Sequence, residues 1–421
     1  MGRKVFISFL GLSKYEKTRY FLKEEKTVFY DTPFVQEALL RYLIEVAQFN
    51  VAPKIFITKE AYINWHPNEN NDGLKKCLTE INENYSSSDI EISSGKSETE
   101  LLNIFLRVFD ELREGDEVYF DITHGFRSLP MLAMVLLNYS KFLKNIKIQS
   151  IYYGAFDASQ VIDGVKWSPI WDLTYFSKIQ SWASAANQFL QTGNGLILSE
   201  LIEDEGLSNL KASIENFTKE ILVNRGPSIF AGKTQLSIQQ EINTLSYKEK
   251  DPLKIILEKV KEHFNSYKHN SISNGLNAVD WCLKNGLIQQ GATLLEEFCT
   301  TYAMVQIRKE AFLQDSDVRG FVSAALTISP DRYKHNYNLE VPDNLPAENV
   351  EKYKRLYALE KEIIPLIHSL RNYKKLKSLV NDIKVSVRND VNHAGFRPNP
   401  RSYDEFKDSL KKRFKDFSKL V

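Results

Sequence analysis

Short apolar runs recur through the first 155 residues of this chain, each followed by a stretch of helical spacing, and no other feature limits the fold as tightly. The runs are KVFISFL (4–10), KIFIT (54–58), IEISS (90–94), EVYFDI (117–122) and IKIQSIYYG (146–154). Helices are predicted between them, near 33–48, 72–83, 98–112 and 129–143. Strands separated by helices of this length cannot meet through tight hairpins. They join as βαβ units around a mainly parallel sheet. The expected fold class is α/β plus all-α: a doubly wound, Rossmann-like domain followed by helices.

From AFDASQVIDGVKWSPIWDLT (155–174) onward the strand signals fade. Ile179, Trp182, Ala186, Phe189 and Leu190 fall at helical spacing, and similar patterns continue to the end. The expected organisation is a sheet domain over 1–165, a helical linker region over 166–255 and a helical domain over 256–421. The turn-rich patch TISPDRYKHNYNLEVPDNLPAEN reads as an insertion near 327–349. Trp182 and Trp281 sit in apolar helical stripes and are expected in the core.

Charge excludes some functions. Lys plus Arg number 55 and Asp plus Glu 54, so no global field draws the chain to nucleic acid or a membrane, and anion binding has to be local. The three cysteines, Cys77, Cys282 and Cys299, are scattered with no CxxC pair, which supports neither a disulfide framework nor a zinc site. MLAMVLL is far shorter than the roughly 20 apolar residues of a membrane span, so a cytoplasmic protein without membrane partners is expected.

In doubly wound sheets ligands bind beyond the carboxyl ends of the strands, where helix N-termini face anions. The informative segments are therefore GLSKY (11–15), THGFRS (123–128) and GAFDA (154–158). DITHGFRSLP offers a hydroxyl, an imidazole, a glycine, an arginine and a helix start with Pro130 in its first turn, which suits a phosphate or nucleotide. The plainer alternative has Asp121 and Thr123 capping that helix and Arg127 solvated. The chain has neither GxGxxG nor GxxxxGK[ST], which disfavours a redox dinucleotide or a P-loop nucleotide.

The helical half carries SVRNDVNHAGFRPNP (386–400), with Arg388 and His393 five residues apart. That spacing rotates the side chains about 140° apart on an ideal helix, so either the helix ends between them or each flanks a cleft completed by another chain. A histidine that titrates near neutrality and an arginine that neutralises phosphorane oxygens suit metal-independent RNA cleavage by the ribose 2′-hydroxyl. Asn389 and Asn392 are placed to orient them or donate to phosphate. Arg332 and His335 form a weaker pair in the turn-rich patch, and His263 and His269 lack metal-ligand spacing and are expected at the surface.

FISFLGLSKY followed by DITHGFRSLPML resembles the CARF sensor domains of type III CRISPR accessory proteins, and RNDVNHAGF with AVDWCLKNGLIQQGATLLEEF (278–298) resembles HEPN ribonucleases of the CARF-containing family. The resemblance implies a sensor that binds cyclic oligoadenylate across a dimer interface, through the loops after the first and fourth strands. Gly11, Ser13, Thr123, His124, Gly125 and Arg127 are its ligand-binding residues on this reading. It further implies an allosterically activated endoribonuclease acting on single-stranded RNA in antiviral defence, with Arg388, His393, Asn389 and Asn392 at the cleavage site. No cofactor or metal is required. The activator is cyclic tetra-adenylate or, second, cyclic hexa-adenylate, and the partner is another copy in a homodimer or higher homo-oligomer. The rival readings are a sensor domain that cleaves its own cyclic nucleotide, and a non-enzymatic nucleotide-responsive module.

Overall fold

The computed structural model describes residues 2–22, 28–69, 71–125, 127–245, 251–328, 347–385, 390, 396 and 399–421. It divides into two compact units, Met1–Lys178 and Ile179–Val421.

The first unit is built on β1 (Lys4–Leu10), β2 (Thr18–Leu22), β3 (Phe29–Thr32), β4 (Val51–Thr58), β5 (Asp89–Ile92), β6 (Glu117–Asp121), β7 (Lys147–Gly154), β8 (Gln160–Ile162) and β9 (Val165–Asp172). Its sheet runs β3-β2-β9-β7-β6-β1-β4-β5, with β8 on β9. The stretch β7-β6-β1-β4-β5 is parallel throughout. Counted along the chain, these strands lie in the order 3-2-1-4-5, so the winding reverses between β1 and β6.

β1 explains why the sheet is covered on both sides. Val5, Ile7 and Phe9 point into one apolar cluster, and Phe6 and Leu10 into the other, all at most 3% exposed. A strand buried on both faces reads as a continuous apolar run. Each such side chain contributes roughly 1.5–3 kcal/mol by burial. Helices α1 (Val35–Arg41) and α2 (Leu74–Ile81) pack their apolar faces on one side, and α3 (Glu98–Glu111) and α4 (Leu129–Lys144) on the other. Past α1 the chain continues as a π-helical turn, Tyr42–Val46, which accounts for the longer helix expected over 33–48.

Strands β2, β3, β8 and β9 were not expected, and β8 and β9 correct the expectation that strand structure fades after residue 155. The signal was hidden by Pro169, which argues against an inner strand because it lacks a donor. Here the Pro169 carbonyl still accepts from the Ala155 amide at 2.9 Å while the strand lies between β2 and β7.

The second unit is helical, comprising the rest of α5 (Thr174–Thr192), then α6 (Leu196–Glu203), α7 (Ser208–Leu222), α8 (Gly226–Ala231), α9 (Lys233–Thr244), α10 (Pro252–Lys261), α11 (Ile272–Lys284), α12 (Ile288–Gln306), α13 (Ser316–Thr327), α14 (Ala347–His368), α15 (Tyr373–Ile383) and α16 (Tyr403–Ser418). Trp182 and Trp281 are buried in its core, and His263 and His269 are exposed, as their sequence settings predict. Residues 329–346, with Arg332 and His335, lie outside the described residues. Among the described residues no helix is long and apolar enough to cross a membrane.

Candidate nucleotide site at the carboxyl ends of the sheet

The reversal between β1 and β6 leaves a crevice, and a cavity of about 540 Å³ opens there. This is where the strand order of a doubly wound sheet makes room for a ligand. Its lining comes from the ends of four neighbouring core strands: Gly11 and Ser13 after β1, Glu60 after β4, Ser94 and Lys96 after β5, and Thr123, His124 and Gly125 after β6. Thus Gly11, Ser13, Thr123, His124 and Gly125, drawn from two loops over 100 residues apart, line one cavity. Arg127 is exposed and is not among the lining residues.

The floor is a buried carboxylate network. Asp121 is fully buried and accepts from Ser8 Oγ at 2.7 Å, from the Thr123 amide at 2.9 Å and from Thr123 Oγ1 at 2.5 Å. Burial pushes its carboxyl above the usual range, against the lowering effect of these three donors. Thr123 Oγ1 also accepts from the Gly154 amide at 2.7 Å, so this hydroxyl ties β6 to β7. Asp121 and Thr123 do not cap α4. The N-cap of that helix is Ser128, which makes no side-chain cap bond, and Pro130 stands in its first turn.

The β1 loop is fixed by a second set of bonds. The Gly11 amide donates to the Tyr15 hydroxyl at 2.9 Å, and Asn64 Nδ2 donates to the carbonyls of Gly11 at 3.0 Å and Ser13 at 3.2 Å. The Gly11 amide is therefore already engaged. Tyr15 in turn packs edge-on against His124, with ring centres 5.0 Å apart. The His124 Nε2 atom is out of reach of solvent and has no hydrogen-bond partner among the described residues. Burial holds its pKa down to about 4, so the ring is neutral at pH 7.

Gly125 has φ +136°, and a Cβ there would stand 2.7 Å from Leu129 Cδ2. Only glycine lets the loop turn so closely over the start of α4.

At the other end of the cavity, Glu60 carries the negative charge. Its carboxylate accepts from Ser94 Oγ at 2.9 and 2.8 Å and pairs with Lys96 Nζ at 3.3 Å. Its own backbone amide, then Ser94 and then Lys96 hold its pKa down to about 2. Glu60 and Lys96 are the charged residues of the lining at neutral pH, so the interior is close to neutral. Neither residue stood out in the sequence. The available signal was position: Glu60 follows the second core strand by two residues.

Arg388, Asn389, Asn392 and His393 lie outside the described residues. Between them, Asp390 is 2% exposed and accepts from the Arg401 amide at 3.3 Å. Among the described residues no group of three or more His, Cys, Asp or Glu side chains is arranged to hold a metal.

Comparison with known proteins finds similarity over two ranges of the chain. Residues 5–157 match the family model of the CRISPR system endoribonuclease Csx1, CARF domain, and residues 178–274 that of the CRISPR-associated protein MJ1674, second domain. The CRISPR-associated protein MJ1674 of Methanocaldococcus jannaschii is 23% identical over 314 residues, which cover 70% of this chain and 47% of the relative. The chain thus matches about half the length of that relative. Residues 5–157 are thus similar to a Csx1-type CARF domain, and residues 178–274 to an MJ1674-type second domain. These two matched ranges stop at residue 274, short of the Arg388–His393 motif.

Proposed function

We propose that this chain senses cyclic oligoadenylate through its sheet domain in type III CRISPR defence, and that the bound activator switches on a metal-independent endoribonuclease in the helical half. The observation that carries the sensing half is the cavity of about 540 Å³ at the reversal of strand order, within a domain that matches the Csx1 CARF family. A cavity of this size lies in the ordinary range for ligand sites, about 300–1,000 Å³.

A symmetric ring calls for a symmetric receptor, and the surface of the sheet domain supports pairing. On α4, Met131, Val135 and Phe142 are 71, 56 and 84% exposed, on the side opposite the buried Ala133, Leu136, Leu137 and Ser140. Leu102 and Leu106 of α3 are further exposed apolar side chains of this unit. A helix apolar on both faces is costly to leave in water, and a contiguous exposed stripe of this kind marks an interaction surface. The stripe starts at the loop that carries His124 and Gly125. Two copies joined along it bring their cavities together about one two-fold axis, which matches a ring with an even number of adenylates.

The cleavage half rests on the motif RNDVNH. Arg388 stabilises charge on the phosphorane, His393 moves the proton or positions the 2′-hydroxyl, and Asn389 and Asn392 orient them. The activator acts by binding the active arrangement more tightly than the resting one. The deciding experiment titrates the full chain with cyclic tetra-adenylate, cyclic hexa-adenylate and linear tetra-adenylate by calorimetry, and follows cleavage of labelled single-stranded RNA in parallel. Tight binding of a cyclic form with activator-dependent cleavage is expected. No binding of either ring sinks the sensing reading; binding without RNA turnover sinks the ribonuclease reading alone.

A further inference from the structure

The cavity holds one carboxylate that the sensing reading does not explain. A ligand made of phosphodiesters is repelled by an anion, yet Glu60 lines the space such a ligand would occupy. Its side chain is 44% exposed, so it is reachable, and Ser94 and Lys96 fix it in place. With its pKa held down to about 2, it is an acceptor at neutral pH. A fixed carboxylate with lone pairs to spare seeks a donor from its ligand, and a hydroxyl is already its partner in Ser94.

Strand order says which donor. With core strands in the order 3-2-1-4-5, β4 is the second strand, and Glu60 stands just beyond its carboxyl end. In dinucleotide-binding doubly wound domains an acidic side chain in this position takes the hydroxyls of the ribose. We propose, on the premise that the cavity receives cyclic oligoadenylate, that Glu60 accepts a hydrogen bond from a ribose 2′-hydroxyl and so makes the sensor selective for ribonucleotides whose 2′-position is free. Lys96 offsets the charge of Glu60, while the neutral His124 leaves the rest of the interior without charge. The phosphates then lie toward the exposed Gly125 and Arg127 at the start of α4. The 2′-hydroxyl is the group by which proteins tell RNA from DNA.

The test compares cyclic tetra-adenylate with its all-2′-deoxy counterpart on the full-length protein by calorimetry. Wild type is expected to prefer the ribo ring by about 10-fold or more, the scale of a hydrogen bond to a charged group. In Glu60→Gln the preference should fall to within about threefold, because the loss is confined to the ribo ring. Lys96→Met, in which the two shorter bonds from Ser94 still hold the carboxylate, should weaken both rings alike and leave their ratio unchanged, which separates charge from hydroxyl reading. Both side chains are partly solvated, and equal melting temperatures verify that the variants fold. If wild type binds neither ring, the sensing reading fails and this assignment with it. Equal affinity of wild type for both rings, or an undiminished preference in Glu60→Gln, overturns the assignment and leaves the sensing reading intact.

Discussion

Replacing Thr123 by valine separates two roles for a residue that the sequence placed among the ligand contacts. The hydroxyl donates to Asp121 at 2.5 Å and accepts from the Gly154 amide at 2.7 Å, so its donor is committed to the framework. Valine keeps the shape and removes both bonds. The Asp121 carboxylate then keeps the Ser8 hydroxyl and the residue-123 amide as donors, with no cation paired to it among the described residues. The lost bond to a charged group costs about 1.5–3 kcal/mol, and a Gly154 amide left without a partner about 1–3 more. The two share one atom and are not additive, and Asp121 can relieve part of the loss by taking up a proton. A net loss of about 3 kcal/mol follows.

For a unit of this size, each kcal/mol moves the midpoint by about 2–4 °C, so the sheet-domain transition in calorimetry should fall by about 6–12 °C. Thr123→Ser, which retains the hydroxyl, should recover most of it. Activator affinity, measured well below the transition, should change little in Thr123→Val beyond what loosening of the floor causes. A valine variant that melts like wild type but binds the activator at least tenfold more weakly would show that the hydroxyl serves the ligand, and would refute the reasoning from the network.

Other expected outcomes follow from the same geometry. The His124 imidazole titrates near 6.5 when unfolded and is held down to about 4 in the fold, so the folded state binds fewer protons. Its contribution, at most about 3 kcal/mol, is complete above pH 6.5 and is lost as the pH falls toward 4; His124→Phe should flatten that limb of a stability-versus-pH curve. Gly125→Ala should destabilise the sheet domain by about 1–3 kcal/mol through its positive φ and the clash with Leu129, whereas at Gly11 a Cβ meets nothing closer than 3.4 Å and alanine should melt like wild type. Val135→Glu on α4 should convert a dimer into a monomer in sedimentation and weaken activator binding. Arg388→Ala or His393→Ala should lower activator-dependent RNA cleavage by at least about 100-fold while activator binding persists, with wild-type cleavage surviving EDTA and leaving 2′,3′-cyclic phosphate or 3′-phosphate ends.

What could be read from the sequence was whatever periodicity alone determines. The five core strands and the helices between them were visible because a strand buried on both faces reads as a nearly continuous apolar run, as β1 does apart from Lys4 and Ser8. The added strands β2, β3 and β9 escaped because their polar residues are satisfied across strands rather than along the chain. Arg19 on β2 meets Asp31 of β3 with two bonds of 2.7 and 2.6 Å, and its guanidinium lies over the rings of Phe29 and Trp167. In one dimension those are a charge, a charge and two unrelated aromatics. Only register brings them together.

The site followed the same division. That the loops after β1 and β6 should converge is a consequence of strand order, which the βαβ pattern makes predictable; that Gly11, Ser13, Thr123, His124 and Gly125 line one cavity is its geometric expression. What each residue contributes was not predictable, because it depends on bonds between distant segments. Thr123 and the Gly11 amide look like ligand groups by type, yet each is engaged by a framework partner, Asp121 and Gly154 for one and Tyr15 for the other. Glu60 looks like one of many surface acids, yet the ends of β4 and β5 set it against Ser94 and Lys96 inside the crevice. A residue type in a ligand-binding loop therefore fixes where chemistry can occur, and hydrogen-bond accounting decides which groups remain free to perform it. By that accounting the cavity presents the carboxylate of Glu60, the buried neutral ring of His124 in its wall and the loop at Gly125. On the proposed reading they would meet a ribose hydroxyl, a base and a phosphate in turn.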